Sequence, residues 1–428
     1  MADNFDVMIA GAGMAGLCAA LEAANAGARV LVLEKGENCG GNANLAAGMM
    51  LGSSDFDGLR AYIPDGDEVL QRLLCDNFEA GIEWLKSHGL PFAPPISFGD
   101  FRVIHPMNAG QPGDRSDFLA MLADKARGAG AEIRTGCALE DLQREPEGFT
   151  ASGGLGAKSV ILATGGFQGD RDQLRRYMGD GPAAGLRIRS IPECSGDGLR
   201  MAQALGAADS NNMDAFYGHT MADVQLSMTE FQPSTPYFAR NGILLNMEGR
   251  RFVDEGSSLL EEANPQAACR QPGDYYYLVF DAGMLAGPAV THGGAQGSDA
   301  PVREIDWMDR AERLAMPLHE APSLEGLIDH LAQEGLPGDA VAGEIETYRK
   351  AVAGGTQAQL TPPRMGNVYP LGNPPYYALR CSAGITATCG GMGIDETGRV
   401  LAQNGGTIPG LYGAGIDAGG VFGNHYGG

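Results

Sequence analysis

Asp6-Val-Met-Ile-Ala-Gly-Ala-Gly-Met-Ala-Gly16 sets a short apolar run directly against three glycines, Gly11, Gly13 and Gly16. Residues 17–26 follow with the patterning of a helix, and Arg29-Val-Leu-Val-Leu-Glu34 reads as a second buried strand. Together they form a strand–helix–strand unit around a Gly-x-Gly-x-x-Gly turn, the context that separates a dinucleotide site from a chance glycine cluster. The first glycine permits the tight turn, the second admits a pyrophosphate close to backbone, and the third lets helix pack on strand. The helix N-terminus offers unpaired N–H groups and a partial positive charge to phosphate. Glu34 stands where an acid accepts hydrogen bonds from an adenosine ribose. On its own the motif leaves open whether the dinucleotide is FAD or a nicotinamide.

The chain has 428 residues, enough for two or three folding units, and 44% of them are hydrophobic, as a globular protein requires. Its net charge of −23 argues against nucleic acid and against anionic membrane surfaces as partners. An anionic substrate therefore needs a locally basic pocket. No apolar stretch approaches the roughly 18 residues of a spanning helix. Residues 1–6 lack the basic-then-apolar pattern of a secretory signal, so a cytoplasmic protein is expected. The eight cysteines are scattered without a Cys-x-x-Cys pair, which speaks for reduced thiols and against a zinc ribbon or a thioredoxin-type motif. No metal site is expected.

Farther along, Asp67 to His88 reads as an amphipathic helix with Leu70, Leu74, Phe78, Ile82 and Leu85 on its core stripe. Residues 159–162 form another buried strand that ends on glycines, and Gly196-Asp-Gly198 opens a helix reaching about Leu205. From about residue 216 the texture changes to Met- and Pro-containing loops, a polar strand over 242–246 and an aromatic strand over 275–280. Helices are expected near 323–335 and 340–353. His105-Pro106 has no motif context and reads as loop. No second Gly-x-Gly-x-x-Gly unit follows, which removes one argument for a nicotinamide site.

Five segments carry a more specific resemblance: Gly40-Gly-Asn-Ala-Asn-Leu-Ala-Ala-Gly48, Ala163-Thr-Gly-Gly-Phe167, Ser195-Gly-Asp-Gly-Leu199, the stretch from Asn241 to Glu255, and the stretch from Gly410 to Gly423. In this order they resemble the flavoprotein family of fumarate reductases, succinate dehydrogenases and ketosteroid dehydrogenases, over nearly the whole chain. Thr361-Pro-Pro-Arg, Pro374-Pro-Tyr-Tyr-Ala and Ala383-Gly-Ile-Thr are most similar to the tricarballylate dehydrogenase branch. The resemblance implies an α/β, Rossmann-like FAD-binding domain with an inserted α+β substrate-capping domain. The expected division is 1–215 with 386–428 for the FAD-binding domain, and 216–385 for the cap. The implied cofactor is FAD, with Ala15 and Glu34 at its adenosine half and the backbone near Ala138 at adenine. Asn42, Ala43, Ala47 and Gly48 fall to pyrophosphate and flavin, and Asp197 to the ribityl–flavin end. Gly11, Gly13, Met14, Gly16, Lys35, Gly40, Gly41, Ala163, Thr164, Gly165, Gly415 and Val421 complete the carried-over set. Members with covalent flavin carry a histidine in the glycine segment after the second strand; residues 39–48 have none, so noncovalent FAD is expected. Cys39 reads as a packed cysteine.

The implied chemistry is hydride transfer at a CH–CH bond beside a carbonyl or carboxyl group, with a protein acid or base handling the proton on the neighbouring carbon. Several residues of the resembling enzymes are changed. The arginine acid of fumarate reductases falls on Leu259, their paired histidines on Thr386 and Ala387, and their C-terminal substrate arginine near Asn424-His-Tyr426. Tyr426 matches a tyrosine that ketosteroid dehydrogenases use on the substrate carbonyl, and His219 falls where fumarate reductases bind substrate. Tyr237 and Arg240 lie in the loop that carries further substrate and proton-relay groups. These four are the candidate catalytic residues. Arg251 with Asp254 or Glu255 reads as an ion pair. The family's glutamate near the ribityl falls on Ile416, with Asp417 one place along. A neutral ketosteroid-like or cyclic enone substrate is favoured, with a tricarballylate-like polycarboxylate as the alternative. Further alternatives are a non-redox FAD-containing isomerase or hydratase, and a flavoprotein subunit serving an iron–sulfur partner. A quinone or redox protein would be the external electron partner.

Overall fold

The structure is a computed structural model that describes residues 3–46, 48–107, 116–257, 262–285, 304–366 and 368–428. The chain forms two compact units. The first comprises residues 1–177, 190–216 and 387–428; the second comprises 178–189 and 217–386. The short segment 178–189 thus belongs with the second unit, and its strand Leu186–Ile188 pairs in parallel with Ala383–Ile385.

In the first unit, strand Asp3–Ala10 lies between Val30–Leu33 and Leu155–Leu162, parallel to both. Val30–Leu33 is apolar and buried throughout, and the other two are apolar toward their C-terminal ends, as strands covered on both faces require. Glu132–Arg134 extends one edge in parallel, and Thr407–Gly413 pairs in parallel with Leu155–Leu162 on the other side. Helix Met14–Asn25 returns across this sheet and buries Leu17, Ala20, Leu21 and Ala24 in a core shared with Phe118, Leu119 and Leu122 of helix Ser116–Gly128. Helix Glu68–Ser87 is capped by Asp67, whose side chain accepts from Leu70 N at 3.0 Å. A three-stranded antiparallel sheet joins Met49–Gly52, Arg102–Pro106 and Ile96–Phe98. His105 and Pro106, expected in a loop, therefore end a strand: the imidazole is buried between the Phe78 and Phe92 rings and meets Glu79 at 3.2 Å.

The second unit is built on strand Tyr376–Thr388. Tyr276–Asp281 and Leu318–Ala321 pair antiparallel with it, and Ile243–Leu245 follows on Tyr276–Asp281. Ile243–Leu245 is wholly buried rather than polar, because the Ile-Leu-Leu triplet is the whole strand and its polar flanks lie outside it. Residues 216–222, expected as loop, form another strand on Tyr376–Thr388. Helices Leu324–Gln333 and Gly338–Gly354 match the expected helical stretches.

Candidate functional site

In the first unit a cleft opens where the strands of the parallel sheet end. Its wall begins with the glycine turn. Gly11 has φ +97°, and a Cβ there would sit 2.2 Å from the Ala163 carbonyl oxygen. A Cβ on Gly16 would meet the Gly11 carbonyl at 2.0 Å, so helix and turn touch only because both are glycine. Gly13 is different: a Cβ there has nothing nearer than the Gly40 carbonyl at 4.0 Å. Gly13 precedes helix Met14–Asn25, whose N-terminus has no side-chain cap and no acid in its first turn. The helix end thus retains donors and positive potential for an anion beside a glycine with open space, the arrangement a pyrophosphate needs.

Glu34 lines the same cleft, and its carboxylate is anchored from behind. Its Oε2 accepts from Ala12 N at 2.7 Å and its Oε1 from Gly36 N at 2.7 Å. These bonds lock the end of the second strand to the glycine turn and leave further lone pairs for a ribose hydroxyl. Lys35 reaches to Ser195 Oγ at 2.8 Å and Asp197 Oδ2 at 2.9 Å, joining the second strand to the start of helix Asp197–Ala204. Asn42 accepts from Ile191 N at 3.2 Å.

Gly11, Gly13, Glu34, Lys35, Gly41, Asn42, Ala138, Ala163, Thr164, Gly165 and Asp197 all line this cleft. Others of the expected set support it from outside the lining: Met14 and Ala43 pack against the helix core. Gly40 is bridged to Gly13, Gly415 lies against Ala15, and the Val421 carbonyl accepts from Gln71 at 3.1 Å. Gly48 takes φ +72°, and its carbonyl accepts from Met107 N. Ala47 lies outside the described residues, as does Leu259. Ile191, Glu193 and Cys194 line the cleft without having been expected; their position directly before Ser195-Gly-Asp-Gly198 was the available signal.

Asp417, which stands one place beyond the position of the family's ribityl glutamate, has a role that its place in the sequence does not show. It is 1% exposed and accepts from Thr164 N at 2.6 Å, Gly166 N at 2.8 Å and Thr164 Oγ1 at 2.9 Å. Burial raises its carboxyl above the ordinary aspartate value, and the hydrogen bonds from the 164–166 loop offset only part of that rise. Asp417 thus holds the loop whose other face lines the cleft. Burial also pushes the Cys194 thiol up to about 12, which removes the thiolate as a nucleophile.

The candidate catalytic residues divide between the units. Tyr426 is in the first, where its ring packs on Phe422 and its carbonyl accepts from Arg102 Nη1 at 3.3 Å. His219, Tyr237 and Arg240 are in the second. His219, 1% exposed on strand Phe216–Ala222, meets the Tyr217 hydroxyl through Nε2 at 2.9 Å. The Tyr237 ring stands edge-on to the imidazole with centroids 5.3 Å apart. The Tyr237 hydroxyl accepts from Arg189 Nη2 at 3.4 Å. Arg240 is buried, with its carbonyl taken by Arg364 Nη2. Arg251 pairs with Glu255 at 2.6 Å, while Asp254 accepts from Met365 N.

A family model for the FAD binding domain matches residues 6–428. The chain is 28% identical over 455 residues to a fumarate reductase (cytochrome) of Shewanella frigidimarina, covering 100% of this chain and 74% of that protein. It is 26% identical over 465 residues to a vinyl phenol reductase of Lactiplantibacillus plantarum, covering 99% and 92%. Its fold resembles that of a 3-ketosteroid delta1-dehydrogenase from Sterolibacterium denitrificans, with TM-score 0.75 at 20% identity, covering 100% of this chain and 96% of that one. Glycine turn, helix end and anchored glutamate fit the dinucleotide that this match requires. The chain therefore belongs to the FAD-binding domain family and is an FAD-dependent flavoprotein oxidoreductase.

Proposed function

We propose that this oxidoreductase acts on a CH–CH or C=C bond next to a carbonyl or carboxyl group, with Tyr237, His219 and Tyr217 handling the proton. The carrying observation is a phenol–imidazole set in which two half-buried tyrosines flank one buried histidine, and one phenol is hydrogen-bonded to Nε2. The fumarate and vinyl phenol reductases among the relatives support the bond type.

FAD, when bound, supplies hydride exchange with one carbon of the substrate bond. The proton on the neighbouring carbon falls to the Tyr237 phenol, and His219 holds its ring and exchanges protons with Tyr217. Imidazole suits this role because its ordinary titration lies near neutral pH. Tyr426 is the proposed donor to a substrate oxygen, and Arg240 a further contributor to the relay. The flavin is held noncovalently, which the absence of histidine from 39–48 and the protonated Cys194 thiol both support. A quinone or a redox protein is the proposed electron partner.

The test is anaerobic. Dithionite-reduced protein is mixed with fumarate, tricarballylate, cinnamate, cyclohexenone or androstenedione, and return of the oxidised flavin band is followed. At least one is expected to reoxidise the flavin. Tyr237→Phe and His219→Gln are expected to slow that step by ~10²–10⁴, the usual worth of a positioned acid or base. Turnover of a substrate with no change in flavin redox state would instead establish an isomerase or hydratase.

A further inference from the structure

Two of the arginines buried in the second unit, Arg251 and Arg364, have a carboxylate partner. Arg251 and Arg364 share Glu255, while the exposed Arg187 and the half-buried Arg380 share Asp223. Arg189 does not fit this pattern. It is 8% exposed, yet no carboxylate oxygen among the described residues lies within ion-pair distance of it.

Among the described residues its guanidinium meets only hydroxyls. Nη1 donates to Thr386 Oγ1 at 3.0 Å, and Nη2 makes two long contacts, to Thr235 Oγ1 at 3.3 Å and the Tyr237 hydroxyl at 3.4 Å. Thr235 spends its own proton on the Phe231 carbonyl, so it turns a lone pair toward the arginine. Nε is buried and has no partner among the described residues. The Nε–Nη2 edge is the side-on fork that matches the two oxygens of a carboxylate. Here that edge holds one unused donor and one weakly used donor. The opposite corner is fixed on Thr386, and the backbone N–H of Arg189 is tied to the Ile385 carbonyl at 2.8 Å. The fork is therefore held in place before any ligand arrives.

Burying a guanidinium without a counter-charge is costly, and neutral hydroxyls repay only part of that cost. In a chain of net charge −23, such a site is also the local positive field that an acid requires. We propose that Arg189, with Thr386, Thr235 and Tyr237, is the subsite that binds a carboxylate of the substrate and selects an acid over a neutral carbonyl compound. The inference rests on the proposed function for the meaning of "substrate". It also places the bound acid against Tyr237, the phenol assigned to the proton.

The experiment is calorimetric titration of the FAD-loaded protein with fumarate, tricarballylate and cinnamate, and with cyclohexenone and androstenedione as neutral comparators. At least one acid is expected to bind, and Arg189→Met to weaken it by roughly tenfold or more, with flavin content unchanged. Arg189→Gln takes its place under the same criterion if the Met variant does not fold. Added methylguanidinium is expected to restore part of the lost affinity. Failure of every acid to bind the parent protein, or equal affinity in the variant, overturns the proposal. So does a neutral ketone whose binding depends on Arg189 as strongly as any acid's. Acid binding through Arg189 without any flavin reoxidation would leave the subsite standing and remove the proposed function. Reoxidation by neutral enones with no acid bound would do the reverse.

Discussion

Glu255 and Arg364, 109 residues apart in the chain, meet at 2.7 Å with both side chains wholly buried. Arg251 binds the same carboxylate, and Arg364 also caps the carbonyls of Gly242 and Arg240. Burial alone would raise the Glu255 carboxyl. The hydrogen bond from Arg251 and the two positive charges outweigh it and hold the group below its ordinary value. Glu255→Gln strands buried positive charge and is expected to cost about 3–5 kcal/mol. Because the folded value lies below the unfolded one, the ionised carboxylate contributes stability above the ordinary value of 4.5 and loses it as pH falls through the folded value. Melting temperature should therefore drop in acid more steeply for the parent protein than for the variant; equal slopes would contradict the assignment.

Two glycines of one turn are expected to fail in different ways. Gly11→Ala imposes a positive φ costing about 1–3 kcal/mol, and its Cβ collides with the Ala163 carbonyl besides. The variant should melt lower and carry little flavin. Gly13→Ala has an ordinary φ of −75° and no close protein neighbour, so its apoprotein should melt as the parent does. It should nonetheless purify colourless, since the new methyl occupies the pyrophosphate's approach. Full flavin content in Gly13→Ala would show that the phosphate lies elsewhere.

Asp417→Ala leaves Thr164 N and Gly166 N without their acceptor, at about 1–3 kcal/mol each. Flavin dissociation, measured by fluorescence on dilution, should accelerate with it. The raised carboxyl adds a pH signature. Its stabilising contribution is complete below the ordinary value of 3.8 and is lost as pH rises through the higher folded value. Asp417→Asn should abolish that component of the stability profile.

Acid precipitation of the holoprotein is expected to leave all flavin in the supernatant. Folded protein should also keep Cys194 unmodified by iodoacetamide at neutral pH, since its thiol titrates at about 12. Flavin retained in the pellet, or rapid alkylation of Cys194 in peptide mapping, would refute the respective expectation.

The glycine turn, the helix after it and the buried strand 30–33 were legible because each rests on local rules: apolar runs, turn glycines, a cap. So was helix Glu68–Ser87, with Asp67 at its N-terminus. Strand Phe216–Ala222 was not legible, because Gly218, His219 and Thr220 break the apolar pattern. They are buried all the same, and the Tyr276 hydroxyl on Thr220 supplies a partner that lies 56 residues away. Asp417 is placed by resemblance beside the ribityl position, but its hold on the 164–166 loop is hidden until its contacts 253 residues upstream are known. What marks Arg189 is a missing carboxylate, which no linear pattern encodes.

Strand Thr407–Gly413 has a consequence for synthesis. Val160, Ile161 and Leu162 pair on that side with Leu411, Tyr412 and Gly413, and these leave the ribosome some 250 residues later. Throughout translation of the second unit, a strongly apolar strand end stands unpaired, a template for any other extended chain. Completion of the nucleotide sheet thus waits until the second unit has been made. The protein is most vulnerable to aggregation just before it can hold its cofactor.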